Sequence, residues 1–316
     1  MRIGLILIFS FIGCIAFTQP RPDTDGDWNK QFLLLRNTPE ASLMIRVGDI
    51  DNLGFGWEEG FTPFSGRSTP THSYPWAIKG TDARGTDRIM VPSSYKYGSS
   101  KSADGYTNFT SRPSNMPQPV RMPIQELKNL KIDSAAFQIF MDDFQSPDFQ
   151  SRFQFKVNGI RFTEAEKIIN RVSQTGPIGK LVTIRFTREM LQQLTKDSLI
   201  ISIDDPVTGA GDGFAIDIIK LLIHPKVLYK GIVRGKVLDA ETEQPINGAQ
   251  ISAEEFQVVV TDSEGNFVLT DIPAGLTIVT AGAKGFASAQ EQTDVIIDEE
   301  SEIIFRLKKT GSVSFN

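Results

Sequence analysis

GIVRGKVLDAETEQPINGAQISAEEFQVVVTDSEGNFVLTDIPAGLTIVTAGAKGF, residues 231–286, decides the fold of the last third of this chain. Val233 and Val237 fall on one face of a strand, and Pro245, Asn247 and Gly248 then mark a turn. Ala249 and Ile251 resume the alternation, Val258 to Val260 form another strand, and Asp262-Ser-Glu-Gly265 closes a hairpin into Phe267 and Leu269. Short strands of period two between Gly, Pro, Asn and Asp clusters predict an all-β sandwich. Such a fold serves many jobs, so function must be argued from sites.

The same segment closely resembles the carboxypeptidase regulatory-like family, a transthyretin-like Greek-key sandwich. The match rests on Gly235, Val237, Asp239, Pro245, Ile246, Gly248, Ala249 and Ile251, then Thr261, Asp262, Gly265, Phe267, Leu269, Pro273, Gly275, Gly285 and Phe286. It implies an accessory domain of carbohydrate-binding-like fold found beside other extracellular modules. It does not imply peptidase activity. The zinc site of peptidases that carry this domain needs a His-x-x-Glu pair and a second His. The chain has only His72 and His224, with Pro75 and Val227 three residues on.

The 316 residues suffice for two domains, and the net charge of −5 without a Lys/Arg run speaks against nucleic acid as a partner. Met1-Arg2 precedes an apolar run from Ile3 to Phe17, short for a bilayer span and placed as a signal peptide over residues 1–19. An uncleaved anchor is the alternative. Cleavage near Thr18 or Gln19 leaves no cysteine, hence no disulfide and no thiolate site. The only cysteine, Cys14, ends Phe11-Ile12-Gly13-Cys14, a weak lipoprotein-box pattern; lipidation there would tie the protein to a membrane.

A polar segment spans 20–31, a first domain 32–224, a linker 225–230, the regulatory-like domain 231–309 and a tail 310–316. In the first domain, strands are expected at Leu43–Val47, Arg88–Val91, Ala135–Met141, Arg152–Val157, Leu181–Phe186, Leu199–Ile203 and Phe214–Ile223. Helical pieces are expected at Thr163–Val172, where Thr163 and Glu166 have capping-box spacing, and at Thr187–Leu194. The expected architecture is all-β: an N-terminal jelly-roll-like sandwich with minor helices, followed by the small Greek-key sandwich. Val47–Trp57 (VGDIDNLGFGW), its continuation to Trp76, and Ser202–Pro225 are similar to an N-terminal β-sandwich of Gram-negative envelope proteins, where an OmpA-like peptidoglycan-binding domain sometimes follows. No such segment follows Leu307 here, so a peptidoglycan anchor is not carried over.

Acidic residues concentrate at turns. Asp49, Asp51 and Asn52 lie beside Gly54 and Gly56, and Asp204, Asp205, Asp212 and Asp217 surround Gly209, Gly211 and Gly213. These carboxylates repel one another unless calcium, Arg46 or Arg88 sits among them; alternatively they build turns by bonding their own backbone. Neither Asp23 nor Asp49 opens an EF-hand loop, because Trp28 stands where Gly is needed and Leu34 and Gly60 where an acid is needed. For sugar stacking, Trp57, Trp76, Tyr95, Tyr97 and Tyr106 lie in Gly/Ser/Pro-rich stretches; the favoured alternative for the two Trp is that they plug the sandwich end. No catalytic residue is assigned. Asp142-Asp143 and Glu58-Glu59 are adjacent carboxylates that a strand would turn to opposite faces.

The leading reading is a non-catalytic, exported envelope protein that binds a glycan or polysaccharide, at the periplasm or cell surface or released. An adhesion or spacer protein with a protein partner is the rival, and a glycoside hydrolase a third.

Overall fold

A computed structural model describes residues 26–72, 79–94, 117–174, 178–209, 213–226, 229–254 and 256–310. The signal-peptide reading, Cys14, Trp76, Tyr95, Tyr97, Tyr106 and Asp212 lie outside these residues. The chain is nearly all β. Its first part holds β1 (Phe32–Arg36), β2 (Ala41–Val47), β3 (Val120–Pro123), β4 (Ala135–Asp142), β5 (Gln154–Val157), β6 (Ile160–Arg161), β7 (Lys180–Arg185), β8 (Ser198–Asp204) and β9 (Ala215–Pro225). Three short helices interrupt them: α1 (Ser146–Phe149), α2 (Thr163–Ile169) and α3 (Arg188–Leu191). The last part holds β10 (Lys230–Asp239), β11 (Gln250–Ala253), β12 (Gln257–Val260), β13 (Asn266–Pro273), β14 (Gly275–Gly282), β15 (Ala289–Val295) and β16 (Glu300–Leu307). Among the described residues no helix is long and apolar enough to cross a membrane.

The first sandwich faces an antiparallel sheet β1-β2-β9-β4-β7 with a smaller one, β3-β8-β5-β6. Consecutive strands repeatedly change sheet, as the jelly-roll expectation requires. Phe137, Ile139, Ile219 and Leu221 meet Phe155, Val157 and Ile201 between the sheets. In the second sandwich, β15-β14-β11-β12 covers β13-β10-β16 around Val233, Val237, Ile251, Phe267, Leu269 and Phe305. The expected Asp262 hairpin forms: Asp262 Oδ1 accepts the N–H groups of Glu264 and Asn266, and Gly265 takes the left-handed φ of 75°.

The larger sheet is buried on both faces, which is why β4 and most of β9 read as near-continuous apolar runs. Residues 48–72 and 79–91 cover its outer face, where Ile50 and Phe64 pack on Phe140, Leu181 and Ile218. On that face Lys220 is fully buried, 2.9 Å from Glu40 Oε2 and 3.8 Å above the Phe64 ring. Phe140 pairs with Ile218 and Met141 with Ile216, so Asp217 is the extra residue of a β-bulge. Ile216 and Ile219 both face the inner core, and Asp217 and Ile218 are therefore both turned outward.

Several expected elements differ. Arg88–Val91 is no strand but an isolated bridge, Met90 to Phe214. The first helix ends at Ile169, with Phe162 rather than Thr163 at its cap; Glu166 instead accepts from the Phe155 N–H and pairs with Arg161. The second divides into α3 and a 3-10 turn, Gln192–Thr195, and Thr187 Oγ1 caps it by accepting the Met190 N–H. β1, β3 and β6 were not foreseen.

Candidate functional site

The outer face of the larger sheet carries an acidic centre assembled from three segments. Asp49 and Asp51 follow β2, Asp87 comes from the covering loop, and Asp217 from the bulge of β9. Carboxylate oxygens of Asp49, Asp51 and Asp87 all lie within 4.8 Å of one another. The Asp87 N–H donates to the Ile216 carbonyl at 2.7 Å, holding that loop against the bulge. Leu53 N–H donates to Asp217 Oδ1 at 2.8 Å, while Asp217 Oδ2 is buried with no hydrogen-bond partner among the described residues. Gln31 Nε2 donates to Asp49 at 2.7 Å and more weakly to Asp82, Gly54 N–H donates to Asp51, and Lys79 pairs with Asp51.

Burial dominates the protonation of this centre. It pushes Asp87 up to about 11, helped by the charge of Asp217 and by a hydrogen bond with Asp49. Burial likewise raises Asp217 well above the carboxylate range, with the charges of Asp51 and Asp49 adding to it. Arg46, expected near these groups, donates to the carbonyls of Asp27 and Lys30, and Arg88 to that of Asp82.

The aspartates grouped by sequence thus part company. Asp217 joins Asp49 and Asp51, whereas Asp204 accepts from Ser93, and Asp205 ties the 205–208 turn by accepting from Thr208 and the N–H groups of Val207 and Arg152. Asp205 is a turn builder held below the usual carboxylate range: burial works to raise it, and those hydrogen bonds outweigh burial. Asn52 Nδ2 donates to the Gly56 carbonyl. Trp57 is part-buried: Phe61 stacks on its ring at 5.4 Å, Phe140 meets it edge-on, and its N–H donates to the Ile50 carbonyl. His72 Nε2 lies 2.8 Å from Asp142 Oδ2, and His224 is held by Ser42 at the end of β9. Asp87 was missed; its signal is TDARGTD (81–87), a second Gly-bearing acidic loop.

A second site lies where the two sandwiches meet. Gln138 on β4 stands opposite Thr183 on β7, and Ala136 opposite Arg185. Their neighbours Phe137, Ile139, Val182 and Ile184 enter the inner core, so these four occupy the outer face. They floor a groove of about 310 Å³ walled by Leu222, Tyr229, Phe256 and Pro273 and rimmed by Asp133 and Lys226. Gln138 Oε1 and Thr183 Oγ1 are buried without a hydrogen-bond partner among the described residues. The Phe256 ring lies over the Arg185 guanidinium at 4.2 Å and separates this groove from one of about 240 Å³ that includes Ser252, Thr280 and Gln290. Nothing in the sequence marks Gln138 or Thr183, which resemble any polar strand residue.

Residues 232–308 match the family model for the carboxypeptidase regulatory-like domain. The match falls on the strands from β10 to β16. No curated protein matches the chain. Among solved structures, the chain is similar to 5-hydroxyisourate hydrolase of Klebsiella pneumoniae, with 23% identity over 26% of this chain and 92% of that one, at a TM-score of 0.21. A type II cohesin–X-dockerin complex from Acetivibrio cellulolyticus gives 18% identity over 24% of this chain and 52% of its own, at 0.21. This chain therefore spans about half of that one. The major pilin subunit of Bacillus cereus gives 11% identity over 61% and 64%, at 0.20. The fold assignment rests on the strand pairing above and not on these likenesses.

Proposed function

We propose that this chain is an exported, non-catalytic envelope protein that binds a glycan or polysaccharide in the groove between its two sandwiches. One observation carries the reading: a buried amide oxygen and a buried hydroxyl, Gln138 Oε1 and Thr183 Oγ1, sit unpartnered on a groove floor beside aromatic and charged walls. An unmade hydrogen bond at a buried group costs about 1–3 kcal/mol, and sugar hydroxyls are donors and acceptors of the right kind to supply it. The apolar run Ile3–Phe17 and the resemblance of both halves to extracytoplasmic modules support export.

The test is a glycan array and polysaccharide retention with folded protein. Thr183→Val and Phe256→Ala are expected to weaken binding about tenfold or more, roughly 1.4 kcal/mol each. A blank array from folded parent protein would sink the reading. It would favour a spacer or adhesion role, for which the specific observation is the locked junction of Lys180, Ser68 and Asp294.

A further inference from the structure

The geometry points to a divalent-cation centre formed by Asp49, Asp51 and Asp87, with Asp217 beside them as a fourth buried carboxylate and calcium the cation whose chemistry fits. Oxygens that share one calcium each stand about 2.3–2.6 Å from it, so two of them can be no more than roughly 5 Å apart. Those of Asp49, Asp51 and Asp87 meet that limit, all within 4.8 Å.

Asp217 supplies an independent indication. It is 1% exposed, comes from a different sheet strand, and has one oxygen fixed by the Leu53 N–H. That bond turns the carboxylate toward the loop that carries Asp51. The second oxygen stays buried without a partner in good hydrogen-bond geometry among the described residues, although the Asp51 N–H lies near enough to the carboxylate to favour its charge. A bulge in the central strand of a sheet is a device for aiming a side chain, and here the side chain it aims is this carboxylate. Asn52, in the same turn, adds another buried oxygen, Oδ1, without a partner among the described residues. Hard cations take such carboxylate and amide oxygens.

Electrostatics favour the same occupant. Lys79 pairs with Asp51 and is half exposed. Gathering several buried carboxylates is costly unless protons or a cation offset their repulsion. The oxygens of Asp87 and Asp49 are close enough to share a proton, which is the alternative to a cation. A cation instead would bridge the end of β2, the covering loop and β9, and so bind the loop layer to the sheet. This inference does not depend on the glycan reading, and its test contains no sugar.

The full chain, stripped with chelator, is to be followed by thermal unfolding with added calcium and separately with magnesium, and by equilibrium dialysis with metal analysis. One calcium per chain is expected. The midpoint should rise by about 5 °C or more when calcium is a hundredfold above its dissociation constant. Asp87→Asn keeps the volume and removes one carboxylate ligand. It should fold with a chelator midpoint at or above the parent's, yet lose both the calcium shift and the stoichiometry. Asp217→Asn should lose them as well, and if either variant fails to fold, the parent's stoichiometry and shift decide. A midpoint indifferent to both cations, or a shift that survives in both variants, overturns the proposal in favour of the shared proton.

Discussion

Asp205 illustrates how one carboxylate organises a loop without any ligand. It accepts from Thr208, Val207 and Arg152, and these bonds hold its carboxyl below the usual range although burial acts against them. A depressed folded-state value means that the ionised form stabilises the fold. The contribution is present above the unfolded value of about 3.9 and is lost as pH falls through the lower, folded one. Asp205→Asn should therefore cost about 1.5–3 kcal/mol at pH 7. Urea unfolding of parent and variant should converge as the pH drops below about 4; a constant gap would show that shape rather than charge matters there.

At the scale of elements, the bulge of β9 depends on what lies next to it. Gly48, at the end of β2, has φ 92°, and a Cβ there would overlap the carbonyl oxygen of Asp217. Gly48→Ala should destabilise by about 2 kcal/mol or more, through backbone strain and through displacement of the bulge. A urea midpoint equal to the parent's would refute that. The alternation of Val233, Val237, Ala249 and Ile251 made the second sandwich legible, because one face of each strand is wet. β9 hid its pattern, since both its faces are buried and the bulge changes the parity of AIDIIKLLI midway. The acidic centre was half legible. Asp49 and Asp51 announce themselves in GDIDN, but their union with Asp87 and Asp217 depends on a loop folding back across the sheet. The groove was not legible, because an orphaned hydroxyl is defined by its neighbours and Thr183 has none that sequence spacing reveals. Thr187 caps α3 although no spacing marked it, whereas the marked Thr163 does not cap α2, because Glu166 turns to Arg161 and the Phe155 N–H instead.

Across the whole molecule, the two sandwiches are joined by more than a linker. β14 adds in parallel to β7 at Leu276 and Val182. Lys180 reaches Asp294 at 2.6 Å, the Ile297 N–H donates to the Ser65 carbonyl, and Arg67 pairs with Glu299. Tyr229 and Ala274 complete a core shared with Phe64 and Phe140. Calorimetry should accordingly record a single transition with calorimetric and van't Hoff enthalpies in agreement; two resolved peaks would mean independent modules. One further pairing bears on how this molecule carries load. β10 and β16 run parallel from Ile232 beside Glu300 to Asp239 beside Leu307. Tension applied at the start of β10 and the finish of β16 pulls these strands past each other along their length. Their hydrogen bonds then resist together in shear rather than opening one by one as in a peeled hairpin, so the regulatory-like module is built as a mechanical clamp.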